Sequence, residues 1–358
     1  MKVCILGSGL SSLTLAKTLV NKNIFVDVYF SKKKQKQNQS RTISITKSNI
    51  DFFQKYILNI EKILWKIDKI EIFTENFKND KLLNFENNHL QLFSIFKNYK
   101  LFELLEKSLN KNKFFKKFYL KDKIILSGNY DLIINTDLAN SFTKKFFSKK
   151  IEKKYNSFAY TSVINHKKIP NHTASQIFTK NGPLAFLPIS SSQTSVVYSI
   201  NKSKIIKNDN LIELIKNYNL KYNIRKIEKF NYFKLVSVNL RKYYHKNILA
   251  FGDMLHKIHP LAGQGFNMTI RDIKVLLDII NFRINLGLPL DSSVNKEFEQ
   301  KTKSKNFVFS NGIEFIHDFF YFENKIKNNI LSQSIKFLGK NYSINKLFTR
   351  IADKGEIS

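Results

Sequence analysis

The chain has 358 residues, enough to bury a large core and of a length that usually holds about two domains. Its formal net charge is +32, but 43% of it is hydrophobic, which excludes disorder, a state that needs charge without enough apolar surface to fold. The excess is mostly Lys dispersed among many Asn, Ile and Phe, the pattern of an A/T-rich coding genome; no zinc-finger spacing, ribonucleoprotein aromatic motif or heptad-linked basic region accompanies it, so nucleic acid is not an expected partner, and attraction to anionic lipid is the functional reading that remains.

Val3 to Leu6 is a short apolar run ending in Gly7-Ser8-Gly9, and Leu10 to Val20 carries apolar residues at helical spacing, so the chain opens with a strand, a tight turn and a helix. The Gly and Ser interruptions, with no small-residue cleavage site after them, argue against a signal peptide. Cys4, the only cysteine, falls in this strand; no internal disulfide can form, and a buried inert thiol in a reducing cytoplasm is expected. Ile24 to Phe30 closes a β-α-β unit, and Lys32 to Asn38 is a polar loop. Ile67 to Phe73 alternates as a strand, Lys100 to Leu109 reads as a helix and Tyr130 to Asn135 as a further buried strand.

Short alternating segments at Ser157 to Ile164, Thr173 to Phe178, Ala185 to Ile189 and Ser195 to Ile200 then predict an antiparallel sheet. Ile248 to Phe251 returns to a continuous apolar strand, Asn267 to Asn281 is a periodic helix, and the tail from Lys296 is helical, aromatic and basic. Within it Phe315, Phe319, Phe320 and Phe322 are expected in the core. No run approaches the roughly 18 apolar residues of a membrane span, so membrane contact, if made, is peripheral. The order predicts an α/β protein: a Rossmann-like domain over 1–64, 100–150 and 239–295, an inserted, mainly antiparallel β-sheet domain over 65–99 and 151–238, and C-terminal helices over 296–358.

Two motifs carry chemistry. Gly7-x-Gly9 after a strand allows a sharp turn and a close approach of bare backbone to a pyrophosphate resting on the following helix. Ser12 stands at the fingerprint's third small position, and Phe30 stands where an acid would hold the adenosine ribose; Asp27, three residues earlier, points to the other face of its strand. The stronger signal is Asn247-Ile-Leu-Ala-Phe-Gly252-Asp253, then His256 and His259-Pro260-Leu261-Ala262-Gly263-Gln264-Gly265-Phe266-Asn267. A strand ending in Gly-Asp puts a carboxylate at the sheet's carboxyl edge, within reach of ribityl hydroxyls. The Pro and Gly residues bring bare main chain against a flat ring, and the helix after them can stabilise negative charge at the N1/O2 side of a reduced flavin. His256 and His259 are three apart without a third ligand, so no metal is expected.

These blocks, ending in Arg271-Asp272, closely resemble the FAD-dependent aromatic-ring monooxygenases of the para-hydroxybenzoate hydroxylase-like family, above all the branch that hydroxylates ubiquinone precursors. The likeness extends to Ser40-Arg41-Thr42-Ile43, where the family Arg contacts the cofactor, and to Asn181-Gly182-Pro183-Leu184-Ala185-Phe186-Leu187-Pro188, which looks like the family's substrate-sheet signature. It implies a GR2-type FAD domain, with FAD held by Gly7, Ser8, Gly9, Leu10, Ser11, Ser12, Arg41, Asp137, Gly252, Asp253, Pro260, Gly263, Gln264, Gly265, Phe266 and Asn267. His259, Pro260, Leu261, Ala262 and Gly263 would then lie beside the reactive ring.

It further implies NAD(P)H as electron donor, a flavin hydroperoxide as hydroxylating species and a small aromatic substrate, a polyprenylated phenol of ubiquinone biosynthesis. A cytoplasmic protein resting on the inner face of the plasma membrane, in complex with other quinone-biosynthesis proteins, would agree with it. In two places the chain departs from the family: Leu138 replaces the Gly of the Asp-Gly motif that begins at Asp137, and Phe30 replaces the acid. They keep two other readings open, another flavoprotein oxidoreductase of this fold and a non-catalytic assembly subunit. A halogenase is disfavoured because Trp65, the single Trp, cannot supply a Trp-x-Trp-x-Ile motif.

Overall fold

The computed structural model describes residues 1–30, 39–75, 81–86, 91–119, 130–201, 205–260, 263–326 and 353. The expected loop at 32–38 and most of the tail beyond 326 lie outside them.

Strand Lys2–Leu6, helix Leu10–Val20 and strand Phe25–Phe30 form the predicted β-α-β unit. Both strands pair in parallel, and Leu132–Asn135 pairs in parallel on the far side of Lys2–Leu6. Ile248–Ala250 and Phe115–Tyr119 extend this order in parallel, and Tyr244–His245 closes one edge antiparallel, making six strands. The central strands are continuously apolar because a parallel sheet is covered on both faces. Val3, Cys4, Ile5 and Leu6 are fully buried in one core with the helices Leu10–Val20, Asn98–Asn110 and Gly265–Asn285. Burial raises the Cys4 thiol pKa, which leaves it a packing residue, as expected.

The second sheet is built on Lys150–His166, Gln193–Ile200, Gly182–Pro188 and Thr173–Thr179, all paired antiparallel. Lys69–Thr74 joins it in parallel beside Thr173–Thr179, and Asn231–Leu240 lies along the other side of Lys150–His166. Side chains alternate across it. Tyr160, Ile164, Leu184, Phe186, Val196, Tyr198 and Ile200 face Leu211 and Ile215 of helix Asn208–Tyr218 in a second core. The opposite face therefore presents Ala159, Thr161, Pro183, Ala185, Ser195, Val197 and Ser199, and most of these side chains are small.

A three-stranded ribbon, Thr42–Thr46 with Phe93–Lys97 and Trp65–Ile67, lies between the two sheets. Ile45 and Phe96 belong to the core of the parallel domain, whereas Ile67 and Ile95 pack on Ala174 of the antiparallel sheet. The segment 65–99 is thus shared between ribbon and sheet, a division its own alternation does not reveal.

The last helix, Ser292–Ile326, divides the aromatic residues expected in the core. Phe320 is buried with its ring 3.6 Å from that of Phe178, and Phe319 is partly buried, but Phe315 and Phe322 are 68% and 55% exposed. Residues seven apart share one helix face, and here that face turns to solvent.

Candidate active site

The carboxyl edge of the parallel sheet is where an α/β fold opens a crevice. At the end of the first strand Gly7 takes φ +108°, and an added Cβ would meet Thr136 Oγ1 at 2.4 Å. Thr136 is itself held in place: its hydroxyl donates to the Leu6 carbonyl (2.9 Å) and shares a hydrogen bond with Ser12 Oγ (2.6 Å). That bond gives a reason for Ser at the third fingerprint position. It ties the wholly buried Ser12 of the helix to the loop after Leu132–Asn135, so the close approach that Gly would permit is made by a hydrogen bond instead.

Gly9 caps the first helix without any side chain, and a Cβ added there would meet nothing within 4 Å. The first-turn amides, which have no intrahelical acceptor, thus face open space, as an anion site requires. Gly252 packs against Ser11, with 2.9 Å from its notional Cβ to the Ser11 Cβ, and sets the exposed Asp253 beside this helix end. Asp137 lies next to Gly7, its carboxylate accepting the Ala139 amide (2.9 Å) across its own turn.

Neither departure from the family pattern comes within 4 Å of the open position beside Gly9. Leu138 is 51% exposed on the outside of the Asp137 turn. Phe30 is turned along the sheet to Tyr119, with ring centroids 4.4 Å apart, and the Lys117 ammonium lies 4.7 Å above it. Asp27 is no substitute for the missing acid, because its buried carboxylate is held by Lys2 Nζ and the Tyr130 hydroxyl, each at 2.8 Å.

At the crevice's other end, the Gly263 amide donates to the Pro260 carbonyl (3.1 Å). Gly263 has φ +61°, and a Cβ would lie 2.2 Å from Ser44 Oγ, which donates to the Gly263 carbonyl at 3.0 Å. The wholly buried Asn267 locks the loop to the ribbon: its amide donates to the Ser44 carbonyl, and its oxygen accepts from the Thr46 amide and Asn49 Nδ2.

Gln264 accepts from Arg271 and Phe266 packs by Phe96, so the side chains of Gln264, Phe266 and Asn267 serve the protein, and only their main chain faces the crevice. Gly265, which begins the long helix, has nothing within 4 Å of a notional Cβ. Arg41 is exposed at the start of the ribbon, and its guanidinium makes no ion pair with a described residue. Leu261 and Ala262 lie outside the described residues.

His259 and Pro260 face Gln176, Pro183, Ala185, Val197 and Ser199 across a narrow cleft on the small-residue face of the antiparallel sheet. His259 is buried, its ring edge-on to Tyr155 (5.2 Å) and 4.4 Å from that of His317. Burial, with the neighbouring His317, pulls its pKa down to about 3, so the ring is neutral at physiological pH and anchors the loop. Nor is His256 a ligand: its Nε2 is bonded to Asp272 (2.6 Å), which also accepts from Asn306 (2.9 Å), and no metal-binding cluster occurs among the described residues.

The His259 shift sets a pH dependence. Because its folded pKa lies below the usual histidine value, the unfolded chain binds the extra proton first, and stability falls as pH drops below about 6.5 toward 3. One such proton costs up to about 1.4 kcal/mol per pH unit across that window. Thermal unfolding from pH 7 to 4 should show this slope, and His259→Phe should flatten it; an equal slope in both proteins would remove His259 as its source.

The donor set fits FAD: two helix N-termini with open space beside Gly9 and Gly265, an exposed carboxylate at Asp253, an exposed guanidinium at Arg41 and bare main chain around Gly263 and Gly265. With a parallel sheet carrying this crevice and an antiparallel sheet facing it, the molecule has the architecture of the FAD-dependent aromatic-ring monooxygenases. No protein-family profile matches the chain.

In sequence it is similar to the 3-demethoxyubiquinol 3-hydroxylase of Escherichia coli, 28% identical over 155 residues, 41% of this chain and 40% of that protein. It is also similar to the mitochondrial ubiquinone biosynthesis monooxygenase COQ6 of Dictyostelium discoideum, 24% identical over 89% of this chain and 84% of the relative. Several matches thus span less than half of the curated relative's length, as the Escherichia coli one does. Among solved structures, p-nitrophenol 4-monooxygenase PnpA of Pseudomonas putida superposes with a TM-score of 0.81 over 99% of this chain and 97% of its own, at 11% identity. Klebsiella pneumoniae HpxO in complex with FAD and uric acid does so at 0.75 over 98% and 97%, at 13% identity.

Proposed function

We propose that this chain is an FAD-dependent monooxygenase that uses NAD(P)H and dioxygen to hydroxylate an aromatic ring, and that its substrate is a polyprenylated phenol of ubiquinone biosynthesis. The observation that carries the reading is the opposition of two open helix N-termini at the parallel sheet's edge to a small-residue sheet face across the Pro260 loop. When bound, FAD supplies the redox and oxygen chemistry.

The chain's own residues bind and orient. The first-turn amides after Gly9 would hold the pyrophosphate, and Asp253 would accept hydrogen bonds from the ribityl chain. Arg41 would add a cation. The main chain at Pro260 and Gly263 would hold the isoalloxazine, and the helix starting at Gly265 would stabilise negative charge on its N1/O2 side. Ala185, Val197 and Ser199 present small side chains to the substrate's ring, while the neutral His259 holds the loop.

We further propose a peripheral position on the inner face of the membrane, in company with other quinone-biosynthesis proteins. No helix among the described residues is long and apolar enough to cross a membrane, and the charge of +32 favours anionic lipid.

Purified protein should be yellow, or become so with FAD. It should oxidise NAD(P)H faster when a prenylated phenol is added and place one atom of labelled dioxygen in the product. Colourless protein that FAD does not reconstitute would overturn the enzyme reading and favour an assembly subunit.

A further inference from the structure

The strand order of the parallel sheet gives the crevice a direction. Lys2–Leu6, which leads into the Gly7 turn, has Leu132–Asn135 and Ile248–Ala250 on one side and Phe25–Phe30 and Phe115–Tyr119 on the other. Asp253 and the Gly263 loop follow Ile248–Ala250 in the chain. A dinucleotide with its pyrophosphate at Gly9 and its flavin at Gly263 therefore lays its adenosine the other way, across the ends of Phe25–Phe30 and Phe115–Tyr119. The Gly7 amide donates to the Tyr29 carbonyl (2.8 Å), which fixes the end of Phe25–Phe30 against the turn.

Each of these two strands ends in an aromatic residue. Phe30 and Tyr119 are partners in register, so their side chains stand on one face of the sheet, with ring centroids 4.4 Å apart and planes tilted by 49°. Tyr119 is 57% exposed and Phe30 is half-buried. Lys117 shares that face: its ammonium lies 4.7 Å from the centre of the Phe30 ring and is held by Glu106 of helix Asn98–Asn110 at 2.5 Å. A tethered cation over the ring and a second ring against it hold Phe30 in one orientation. The one acid of Phe25–Phe30, Asp27, is committed to Lys2 and Tyr130 and offers nothing to a ribose.

We propose that Phe30 and Tyr119 form an aromatic platform on which the adenine of FAD stacks, in place of a carboxylate that would bind the ribose hydroxyls. The proposal rests on the FAD reading of the site. The exchange alters what is recognised. A carboxylate reads the sugar and leaves a buried acceptor unpaired when a hydroxyl is missing, whereas stacking reads the flat face of the base and is indifferent to the sugar. Phe30 is then a binding residue for the adenosine half.

The test uses the full chain freed of flavin, with FAD, FMN, ADP and 2′-deoxy-ADP as probes. ADP and 2′-deoxy-ADP should bind with the same affinity, and the adenine ring protons of ADP should move upfield in the NMR spectrum on binding. Phe30→Ala should weaken ADP and FAD at least about fivefold, the lower end for one base stacked on one ring, abolish the upfield movement and leave FMN affinity unchanged. Tyr119→Ala, at an exposed position that does not burden folding, should weaken ADP as well, and Phe30→Trp should retain it. Phe30→Glu should bind FAD less tightly than the native chain. The platform is overturned if both alanine variants keep the native affinity for ADP, if the adenine protons do not move, if 2′-deoxy-ADP binds far more weakly than ADP, or if Phe30→Glu tightens FAD. A chain that binds ADP through Phe30 but takes up neither FAD nor FMN would sink the FAD reading and keep the adenine platform; FAD binding that none of these substitutions alters would do the reverse.

Discussion

Gly7→Ala should cost about 3 kcal/mol of stability and leave the protein colourless, whereas Gly265→Ala should lose flavin while folding normally. At Gly7 the backbone conformation itself opposes a side chain, a strain of about 1–3 kcal/mol. The overlap with Thr136 Oγ1 adds an overpacking cost of similar size, because that hydroxyl cannot swing aside without giving up Leu6 and Ser12. Gly265 is the opposite case. It begins a 21-residue helix with open space around it, and alanine there gains up to about 1 kcal/mol of helix propensity. Any loss of flavin in Gly265→Ala must therefore come from space that the cofactor occupies, and at least about a tenfold weaker FAD affinity is expected. Melting curves of apoprotein, with FAD titrations, separate the two; unchanged FAD affinity in Gly265→Ala would move the isoalloxazine away from this helix.

The second large effect is expected at Asp272. Its carboxylate, 1% exposed, joins His256 at the end of the Gly252 turn to Asn306 of the last helix and so clamps three elements together. His256 Nδ1 has no partner among the described residues, so Asp272→Ala would strip the buried ring of its one hydrogen bond. Removing one member of a buried pair costs about 3–5 kcal/mol, which for a protein of this size lowers the melting temperature by roughly 4–7 °C. Asp272→Asn, which keeps the shape and one acceptor, should lose less than half as much. A melting temperature for Asp272→Ala within a degree of the native protein's would show that the clamp carries no stability. Arg271-Asp272, which resemblance alone would group with the cofactor block, thus acts at Asp272 as a support behind it.

How far the site could be read in advance follows from the distance over which each contact acts. Gly7, Gly9, Gly252, Asp253 and Gly265 announce themselves because their chemistry is local: a strand, a turn needing no side chain, and a helix start within a few residues. Ser44 and Thr136 gave no such signal. Their partners, Gly263 and Ser12, are 219 and 124 residues away, and nothing in Thr-Ile-Ser-Ile-Thr or Asn-Thr-Asp points to them. Phe30 looked like an obstacle because its partner strand, Phe115–Tyr119, is an exposed edge whose Phe-Lys-Lys-Phe-Tyr shows no clean alternation. Paired with Tyr119, it lies along the sheet edge.

By itself the sequence determined the two glycine turns, the alternation of the inserted sheet and the helical period of the tail, since each of these is set by residues within one element and by the geometry of strand or helix. Only the tertiary structure decided which face of the tail is covered, how the segment 65–99 divides between ribbon and sheet, and that His259 is buried and neutral. Those outcomes depend on which apolar faces meet. Burial gains free energy from any apolar partner of the right shape, so the choice among partners is made only when the whole chain packs.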